Sequence, residues 1–344
     1  MEERELIRIL KQLKDVSIGV IGDFFLDKHL IIDPQRDEPS LETGLTAYQV
    51  VAKRISPGAA GTVTNNLTAL QVGRVMALGI IGEDGEGYEL MQGLVSRGVD
   101  IQYLIRTTER VTPTYTKPMV MEQGGEREIN RLDIKNFSPT PPELEEQILE
   151  RLYAMAEQVD AIIALDQVVE ENCGVLTSRV REALADIGKK EEAPFIYVDS
   201  RANTFKFRNV MVKCNHYEAV KAIKPDFEGE PDDQTIADCG MDLARRTKKP
   251  VFITWGERGQ LVIRDTTVSH VPAIRVEGPI DICGAGDAAS SGTVSALCCG
   301  ASLEDAAFFG NIVASITIQQ LGTTGTASPE QVLRRFKDFT GKNH

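Results

Sequence analysis

The sequence predicts a three-layer α/β protein, in which helices cover both faces of a central, mostly parallel sheet and a small β lid covers the strand ends. Short apolar stretches of strand character alternate with segments of helical periodicity along most of the 344 residues. Two segments, 24–56 and 105–135, interrupt this alternation with β-branched and polar residues. The alternation predicts the sheet and its helices, and the interruptions predict the lid.

The individual elements follow in chain order. A charged amphipathic helix over 1–10 leads into a strand at 17–22. Further strands are predicted at 161–165, 195–198, 210–213, 251–254 and 261–264. Further helices are predicted at 62–72, 86–97, 142–157, 174–188, 233–247, 285–299 and 302–320. Length alone would allow one large domain or two ordinary ones.

The composition is that of an ordinary globular protein and excludes some classes of partner. The chain is 42% hydrophobic and 26% charged, with a formal net charge of -13 at pH 7. It has no Lys/Arg-rich run, so we expect no nucleic-acid partner and no membrane partner. The N-terminal helix lacks the apolar core of a signal peptide, and no run has transmembrane length. The six cysteines contain no C-x-x-C pair, so we expect a cytoplasmic protein with reduced thiols.

Three predicted strands end in aspartate, at Asp23, Asp166 and Asp199. Ligands of open α/β sheets bind outside the carboxyl ends of the strands, where three carboxylates could hold sugar hydroxyls or a metal ion. Aspartate is also common after strands as a helix N-cap. For any one of the three taken alone, we favour the N-cap interpretation.

One heptapeptide, Asp281-Ile-Cys-Gly-Ala-Gly-Asp287, combines an anion-binding bend with a carboxylate. Gly284 and Gly286 let the backbone approach an anion closely, and the helix predicted after them supplies free N–H groups and a favourable dipole. A carboxylate at Asp287 suits proton abstraction from a hydroxyl that attacks a phosphoryl group. The alternative is an ordinary helix start in which Asp287 merely favours the helix dipole.

These motifs resemble those of the ribokinase (pfkB) family of carbohydrate kinases, over nearly the whole chain. The heptapeptide is similar to the family's Asp-Thr-x-Gly-Ala-Gly-Asp signature, with Ile282 in place of the usual Thr or Ser. The resemblance implies a ribokinase-like fold in a single kinase domain over 1–344, with both lid segments inside it. It also implies that Gly284, Ala285 and Gly286 form an anion hole and that Asp287 is the catalytic base.

Within the family, the chain looks most like the kinase half of the bifunctional heptose-phosphate kinase/adenylyltransferases. The segments that carry this likeness are Gly22-Asp-Phe-Phe-Leu-Asp27, Pro57-Gly-Ala-Ala60, Gly82-Glu-Asp-Gly85, Thr114-Tyr-Thr-Lys117, Arg131-Leu-Asp133 and Asn215-His-Tyr-Glu218. The sequence ends soon after the kinase region, so adenylyl transfer is not expected of it.

By the same resemblance, ATP and Mg²⁺ are bound by Asn215, Glu218, Thr254, Gly256, Gly259 and Asn311. The first two match the family's Asn-x-x-Glu motif, in which an amide and a carboxylate one helical turn apart hold Mg²⁺-bound water and phosphate oxygens. Residues 254–259 match Thr-x-Gly-x-x-Gly beside the nucleotide, where the alternative is a plain β-turn. Asp281 and the loop 322–325 are placed to bind a monovalent cation, with K⁺ as the candidate.

The acceptor is implied to contact Asp23, Asp27, Gly58, Ala59, Thr62 and Asp166. This side departs from the family pattern. Gly58-Ala-Ala-Gly-Thr62 replaces the usual Gly-Gly-x-x-Asn. Asp166-Gln-Val-Val-Glu170 lacks the Lys and Gly of the heptose-kinase pattern Asp-Tyr-x-Lys-Gly, and the missing Lys weakens the case for a phosphorylated sugar.

The resemblance thus implies an ATP-dependent kinase for a hydroxyl of a sugar or sugar phosphate. One alternative is a kinase for a nucleoside-type or other small alcohol, and another is a catalytically silent regulatory protein that binds sugar or nucleotide. The lid would exclude water and so prevent ATP hydrolysis, or it would serve only for dimer contacts. The two roles are compatible, and an uncovered β flap makes a homodimer through the lid plausible.

Overall fold

The structure, a computed structural model, describes residues 1–341 of the chain. In chain order its strands are β1 (Ser17–Gly22), β2 (Phe24–Ile32), β3 (Glu38–Pro39), β4 (Thr46–Ala47), β5 (Val50–Ala59), β6 (Arg74–Leu78), β7 (Ile80–Gly82), β8 (Ile105–Thr107), β9 (Thr114–Glu122), β10 (Gly125–Glu128), β11 (Leu132–Ile134), β12 (Ala161–Asp166), β13 (Phe195–Ser200), β14 (Met211–Asn215), β15 (Val251–Thr254), β16 (Gln260–Arg264) and β17 (Thr267–Val271). Its α-helices are α1 (Glu3–Gln12), α2 (Ala60–Ala69), α3 (Gly85–Val95), α4 (Pro142–Ala156), α5 (Ser178–Ile187), α6 (His216–Ile223), α7 (Asp233–Thr247), α8 (Ala285–Cys298), α9 (Leu303–Thr317) and α10 (Pro329–Gly341).

The central sheet has eight strands in the order β17-β16-β15-β14-β13-β12-β1-β6. The six strands from β15 to β6 are parallel, and β16 and β17 join them antiparallel at one edge. Parallel neighbours need crossover connections, which are mostly helices here. This mostly parallel sheet with flanking helices confirms the predicted fold class.

Both faces of the central sheet are buried. On β12, Ala161, Ile163 and Leu165 pack into one core with α2, α8 and α9, whereas Ile162 and Ala164 pack into a second core with α4 to α7. Successive strand residues point to opposite faces, so one apolar strand fills both cores. Because the six strands from β15 to β6 are parallel, their carboxyl ends lie along one edge of the sheet, where ligands of such sheets bind.

A second sheet forms the lid, in the order β10-β9-β2-β5 with β11 paired to β9. β2 pairs antiparallel with β5 and parallel with β9. These strands come from the two segments predicted for the lid, but the ends of the segments differ. β5 continues to Ala59, and residues 105–107 form β8, which pairs with β7 instead of the lid.

Several helix boundaries differ from the predicted ones because polar side chains fix the helix ends. The α5 helix begins at Ser178 instead of 174, since the Thr177 hydroxyl accepts a hydrogen bond from the Val180 N–H at 3.3 Å. Outside the lid segments, strands β6, β7 and β17 and helices α6 and α10 are absent from the sequence prediction. None of the helices within residues 1–341 has both the length and the apolar character needed to cross a membrane.

Candidate active site

The bend before α8 leaves backbone donors unused. Gly284 precedes the helix with a φ of 77°, a conformation that favours glycine. The Ala285 N–H donates to the Ile282 carbonyl at 3.1 Å, so it is already engaged. The N–H groups of Gly284, Gly286 and Asp287 have no acceptor within residues 1–341. Three free donors at a helix N-terminus can bind an anion.

Asp281 holds this bend against a second loop. Its carboxylate accepts hydrogen bonds from the Cys283 N–H and the Gly322 N–H, each at 3.0 Å. A Cβ at Gly284 would lie 3.4 Å from methyl carbons of Thr62 and Thr324. The predicted acceptor residue Thr62 therefore lies beside the anion-binding bend. It is in the first turn of α2, just after the lid strand β5 ends at Ala59, and this junction is the lid hinge.

The carboxylate of Asp287 is free to accept a proton. It is partly exposed, and it makes no ion pair or side-chain hydrogen bond within the described chain. Burial raises the pKa of Asp287 to about 7, and the neighbouring Asp199 carboxylate raises it further, while Lys213 and Arg201 oppose the shift. A carboxylate that titrates near neutral pH suits general base chemistry.

None of the three aspartates at strand ends has the N-cap role favoured for each, since Asp23 and Asp166 bind loops to the sheet and Asp199 pairs with a lysine of the neighbouring strand. Asp23 accepts hydrogen bonds from the N–H groups of Gln167, Val168 and Val175, at 2.8 to 3.2 Å, and burial raises its pKa to about 6. Asp166 accepts from the Ser200 hydroxyl and the Asn203 amide at 2.7 and 2.9 Å, and burial raises its pKa as well. Asp199 pairs with Lys213 at 2.8 Å.

The Asn-x-x-Glu motif forms a capping box at the start of α6. Asn215 Oδ1 accepts from the Glu218 N–H at 2.9 Å, and Glu218 Oε2 accepts from the Asn215 N–H at 2.7 Å. Glu218 Oε1 has no protein partner within residues 1–341, and burial raises the pKa of its carboxyl. Mg²⁺ usually keeps several waters and binds through one or two carboxylates plus phosphates, so this free oxygen fits it.

The other predicted nucleotide residues lie around the end of β15. Thr254 pairs in register with Asn215 of the neighbouring strand. Gly256 and Gly259 have φ of 54° and 95°, and a Cβ at Gly259 would lie 2.2 Å from the Val271 carbonyl oxygen. Asn311 is buried and bonded within the protein, because its amide donates to the Val271 and Pro272 carbonyls and accepts from Gln260. Its side chain therefore secures this region of the fold.

The predicted acceptor residues of the lid are packed tightly at its hinge. A Cβ at Gly58 would lie 2.3 Å from Asp27 Oδ2, so glycine is needed there for Asp27 to keep its position. Burial raises the pKa of Asp27, and Lys117 and Arg131 oppose the shift. Ala59 has a φ of 51° and a ψ of -118°, a strained conformation for an L residue.

A cavity of about 260 Å³ lies under the lid. Its walls combine lid residues, among them Phe25 and Tyr115, with Asp23 and residues 167–170 beside the central sheet. Four cationic side chains also line it, namely Arg110, Arg131, Lys135 and Arg201. The bend at 281–287 is not part of its wall. Arg201 connects the two, because it lines the cavity and its charge also acts on Asp287 and Glu218.

Sequence reasoning missed two cations of this region, Arg201 and Lys213. Arg201 makes no ion pair within residues 1–341 and follows the end of β13 directly. Lys213 is the one charged side chain of strand β14, where it is buried between the apolar residues Val212 and Cys214. A lysine in a strand that is buried on both faces is a detectable signal, since lysine is almost never fully buried without a partner.

Comparison with known proteins relates the chain to sugar kinases. The model of the "pfkB family carbohydrate kinase" family matches residues 28–331. The chain is 29% identical over 339 residues to the bifunctional protein HldE of Geotalea uraniireducens (strain Rf4). The aligned region covers 97% of this chain and 65% of that protein. The chain thus spans just under two thirds of that relative's length.

Solved structures show the same fold at low identity. Phosphofructokinase-2 from Escherichia coli in complex with potassium aligns with a TM-score of 0.74 and 18% identity, covering 94% of this chain and 99% of that chain. Arabidopsis thaliana ribokinase complexed with ribose and ATP aligns with a TM-score of 0.69 and 15% identity, over 94% of this chain and 99% of that chain.

Proposed function

The chain belongs to the pfkB family of carbohydrate kinases, and on that premise we propose that it transfers the γ-phosphoryl group of ATP to a hydroxyl of a phosphorylated sugar. The observation that carries this proposal is the free carboxylate of Asp287 beside three unused N–H groups at the start of α8. A base for the attacking hydroxyl and donors for the transferred group are what phosphoryl transfer needs from a protein.

In this reaction Asp287 takes the proton of the acceptor hydroxyl as its oxygen attacks the γ-phosphorus and the bond to ADP breaks. The N–H groups of Gly284, Gly286 and Asp287 stabilise the charge on the transferred group. Loss of one such donor typically costs about 3 kcal/mol of barrier. The raised pKa of Asp287 matches its task, since the carboxylate must be ionised to accept the proton yet basic enough to hold it.

ATP lies on the side of Asn215, Thr254, Gly256 and Gly259, as the family likeness implies. Glu218 would hold Mg²⁺ through a water molecule with its free oxygen, and the ion would neutralise phosphate charge. Asp281 is the proposed residue for K⁺. Support for K⁺ comes from the potassium complex of the Escherichia coli relative by fold.

The charge of the cavity favours an acceptor that carries a negative group. Four cations line it against two carboxylates, Asp23 and Glu170, in a chain with a net charge of -13. The Asp23 carboxylate acts electrostatically on Arg110, and Asp133 pairs with Arg131 at 2.7 Å and lies 3.8 Å from Lys135. Of the four cations, Arg201 alone makes no ion pair or side-chain hydrogen bond within residues 1–341, so it is the one most available to an anionic ligand. Arg201 and Lys135 are the proposed ligands of the phosphate group of the acceptor. In this proposal they take the place of the Lys that is missing from residues 166–170.

A nucleoside acceptor is the second candidate, because an aromatic pair lines the same cavity. The rings of Phe25 and Tyr115 meet edge to face with centroids 5.0 Å apart. Arg131 lies 4.5 Å from the centre of the Tyr115 ring, on its face, so that face is already occupied. A base would have to displace this contact in order to stack there, which favours the sugar phosphate.

A homodimer through the lid is part of the proposal. The lid strands expose apolar side chains, namely Val50, Val51, Ile55, Met121, Leu132 and Ile134. Contact between two lids would cover them and the open edges of the lid sheet. Light scattering of the purified protein tests this assembly, and a monomer at micromolar concentration would contradict it.

Release of ADP tests the proposed reaction. The protein is incubated with ATP and Mg²⁺ and with free sugars, sugar phosphates or nucleosides in separate reactions. We expect turnover with a sugar phosphate, and we expect Arg201→Gln to raise KM for that acceptor about tenfold or more without changing KM for ATP. Turnover only with nucleosides would support the second candidate. ATP binding without turnover on any acceptor would indicate a silent binding protein.

A further inference from the structure

The ammonium group of Lys213 lies directly beside the anion-binding bend. Lys213 is on β14, two residues before Asn215, and its side chain is 8% exposed. A Cβ built on Gly286 would lie 2.7 Å from its Nζ. Gly286 is therefore the residue that leaves room for this ammonium group.

Asp199 fixes the ammonium group in this position. Asp199 Oδ2 accepts a hydrogen bond from Lys213 Nζ at 2.8 Å, and the Asp199 side chain is 9% exposed. The Ser290 hydroxyl donates to the same oxygen at 3.3 Å, so helix α8 helps to hold the carboxylate. The two residues come from adjacent parallel strands, β13 and β14, which gives the pair a rigid base.

Lys213 has more donors than the protein satisfies. An ammonium group has three N–H donors, and Asp199 is its only hydrogen-bond acceptor within residues 1–341. Asp287 and Glu218 act on it electrostatically but lie beyond ion-pair distance. A buried donor without an acceptor is destabilising, and the helix N-terminus nearby repels a cation. An anionic ligand at the bend would remove both penalties.

We infer that Lys213 is a further catalytic residue, whose ammonium group binds oxygens of the γ-phosphoryl group during its transfer. The inference rests on the proposed function, since it assigns a residue to the same reaction. Lys213 transfers no proton and stays an ammonium throughout. The proton of the hydroxyl goes to Asp287, the bond to ADP breaks and the bond to the acceptor oxygen forms.

The alternative is a structural ion pair that only neutralises Asp199. The two roles differ in what they predict for nucleotides. A ligand of the γ-phosphate discriminates ATP from ADP, whereas a structural pair affects both nucleotides alike or neither. Calorimetric titration with ATP and with ADP, in Mg²⁺ and without acceptor, measures this discrimination.

The first variants are Lys213→Met and the double variant Asp199→Asn with Lys213→Met, which leaves no unpaired buried carboxylate. We expect ATP affinity to fall about 10- to 100-fold, ADP affinity to change less than about threefold, and kcat to fall about 100-fold or more. Lys28→Met is the matched control, since Lys28 is an ion-paired lysine whose partners Glu86 and Glu89 lie on α3. It should change neither affinity.

Gly286→Ala tests the same idea with every charge retained. Its φ is not positive, so alanine adopts the helical conformation, and the new Cβ displaces the ammonium group. We expect the same selective loss of ATP affinity. Equal losses for ATP and ADP, or wild-type affinity and turnover in Gly286→Ala, would overturn the assignment of Lys213. A wild-type protein that binds no ATP would instead refute the proposed function itself.

Discussion

Replacement of Asp287 by Asn is expected to stabilise the protein while it removes the base. Burial and the Asp199 carboxylate raise the pKa of Asp287 from its ordinary 3.8 to about 7. The folded protein therefore binds a proton at this site more tightly than the unfolded chain does. Folding must overcome this preference at every pH at which the unfolded carboxyl is ionised, so the site lowers stability as the pH rises from about 4 to about 7.

The size of the effect follows from the two pKa values. Their difference of about 3 pH units, at about 1.4 kcal/mol for each, gives about 4 kcal/mol of lost stability above pH 7. This is an upper limit, because the Asp287 side chain keeps some contact with solvent. At pH 5 only the interval between 3.8 and 5 contributes, which leaves about 2 kcal/mol. Asparagine carries no charge and avoids this cost.

Urea unfolding of the wild type and of Asp287→Asn at pH 8 and pH 5 is the assay. The variant should be more stable at both, and its advantage should be clearly larger at pH 8. Asp226→Asn is the control, since Asp226 is exposed and its replacement should change the free energy of unfolding by less than about 0.5 kcal/mol. A variant that is less stable than the wild type at pH 8, or whose advantage is larger at pH 5, would refute the reasoning.

Three further predictions concern the reaction. The value of kcat/KM should fall about tenfold per pH unit below about pH 7, because protonated Asp287 is no base, and a flat profile between pH 5 and 8 would exclude it as the base. Gly58→Ala should raise KM for the acceptor about tenfold or more and leave KM for ATP unchanged, because the new Cβ would lie 2.3 Å from Asp27 Oδ2. Gly85→Ala is the control, since a Cβ at Gly85 enters open space. Equal kinetics of the two variants would contradict this role of Asp27. Turnover should be several-fold higher in K⁺ than in Li⁺, and Asp281→Asn should abolish the difference; the same rate of the wild type in both salts would remove Asp281 as a cation ligand.

The sequence was sufficient for the fold class and for the bend because both depend on local patterns. The apolar strand at 161–165 and the two glycines of the heptapeptide each specify their own backbone. Residues 215 and 218 lie three positions apart at the start of one helix, and their capping box needs no distant partner. Such features are readable wherever the interacting residues are neighbours in the chain.

Features that depend on distant residues were not readable. Asp23 accepts hydrogen bonds from residues 167–175, and nothing local indicates that its carboxylate is already occupied. The packing of Lys213 Nζ against Gly286 joins strand β14 to helix α8, about 70 residues apart in sequence. The orientation of Arg201 toward both the cavity and Asp287 follows from a turn held by Asp166 through Ser200 and Asn203.

Single-turnover phosphoryl transfer from ATP to the acceptor, in the wild type and in Asp287→Asn at pH 8, tests the central claim most directly. Because the variant keeps the three N–H groups and loses a negative charge beside them, it should bind ATP at least as tightly as the wild type. Its rate of transfer should nevertheless fall about 100-fold or more. Transfer at a rate close to that of the wild type would show that another group takes the proton.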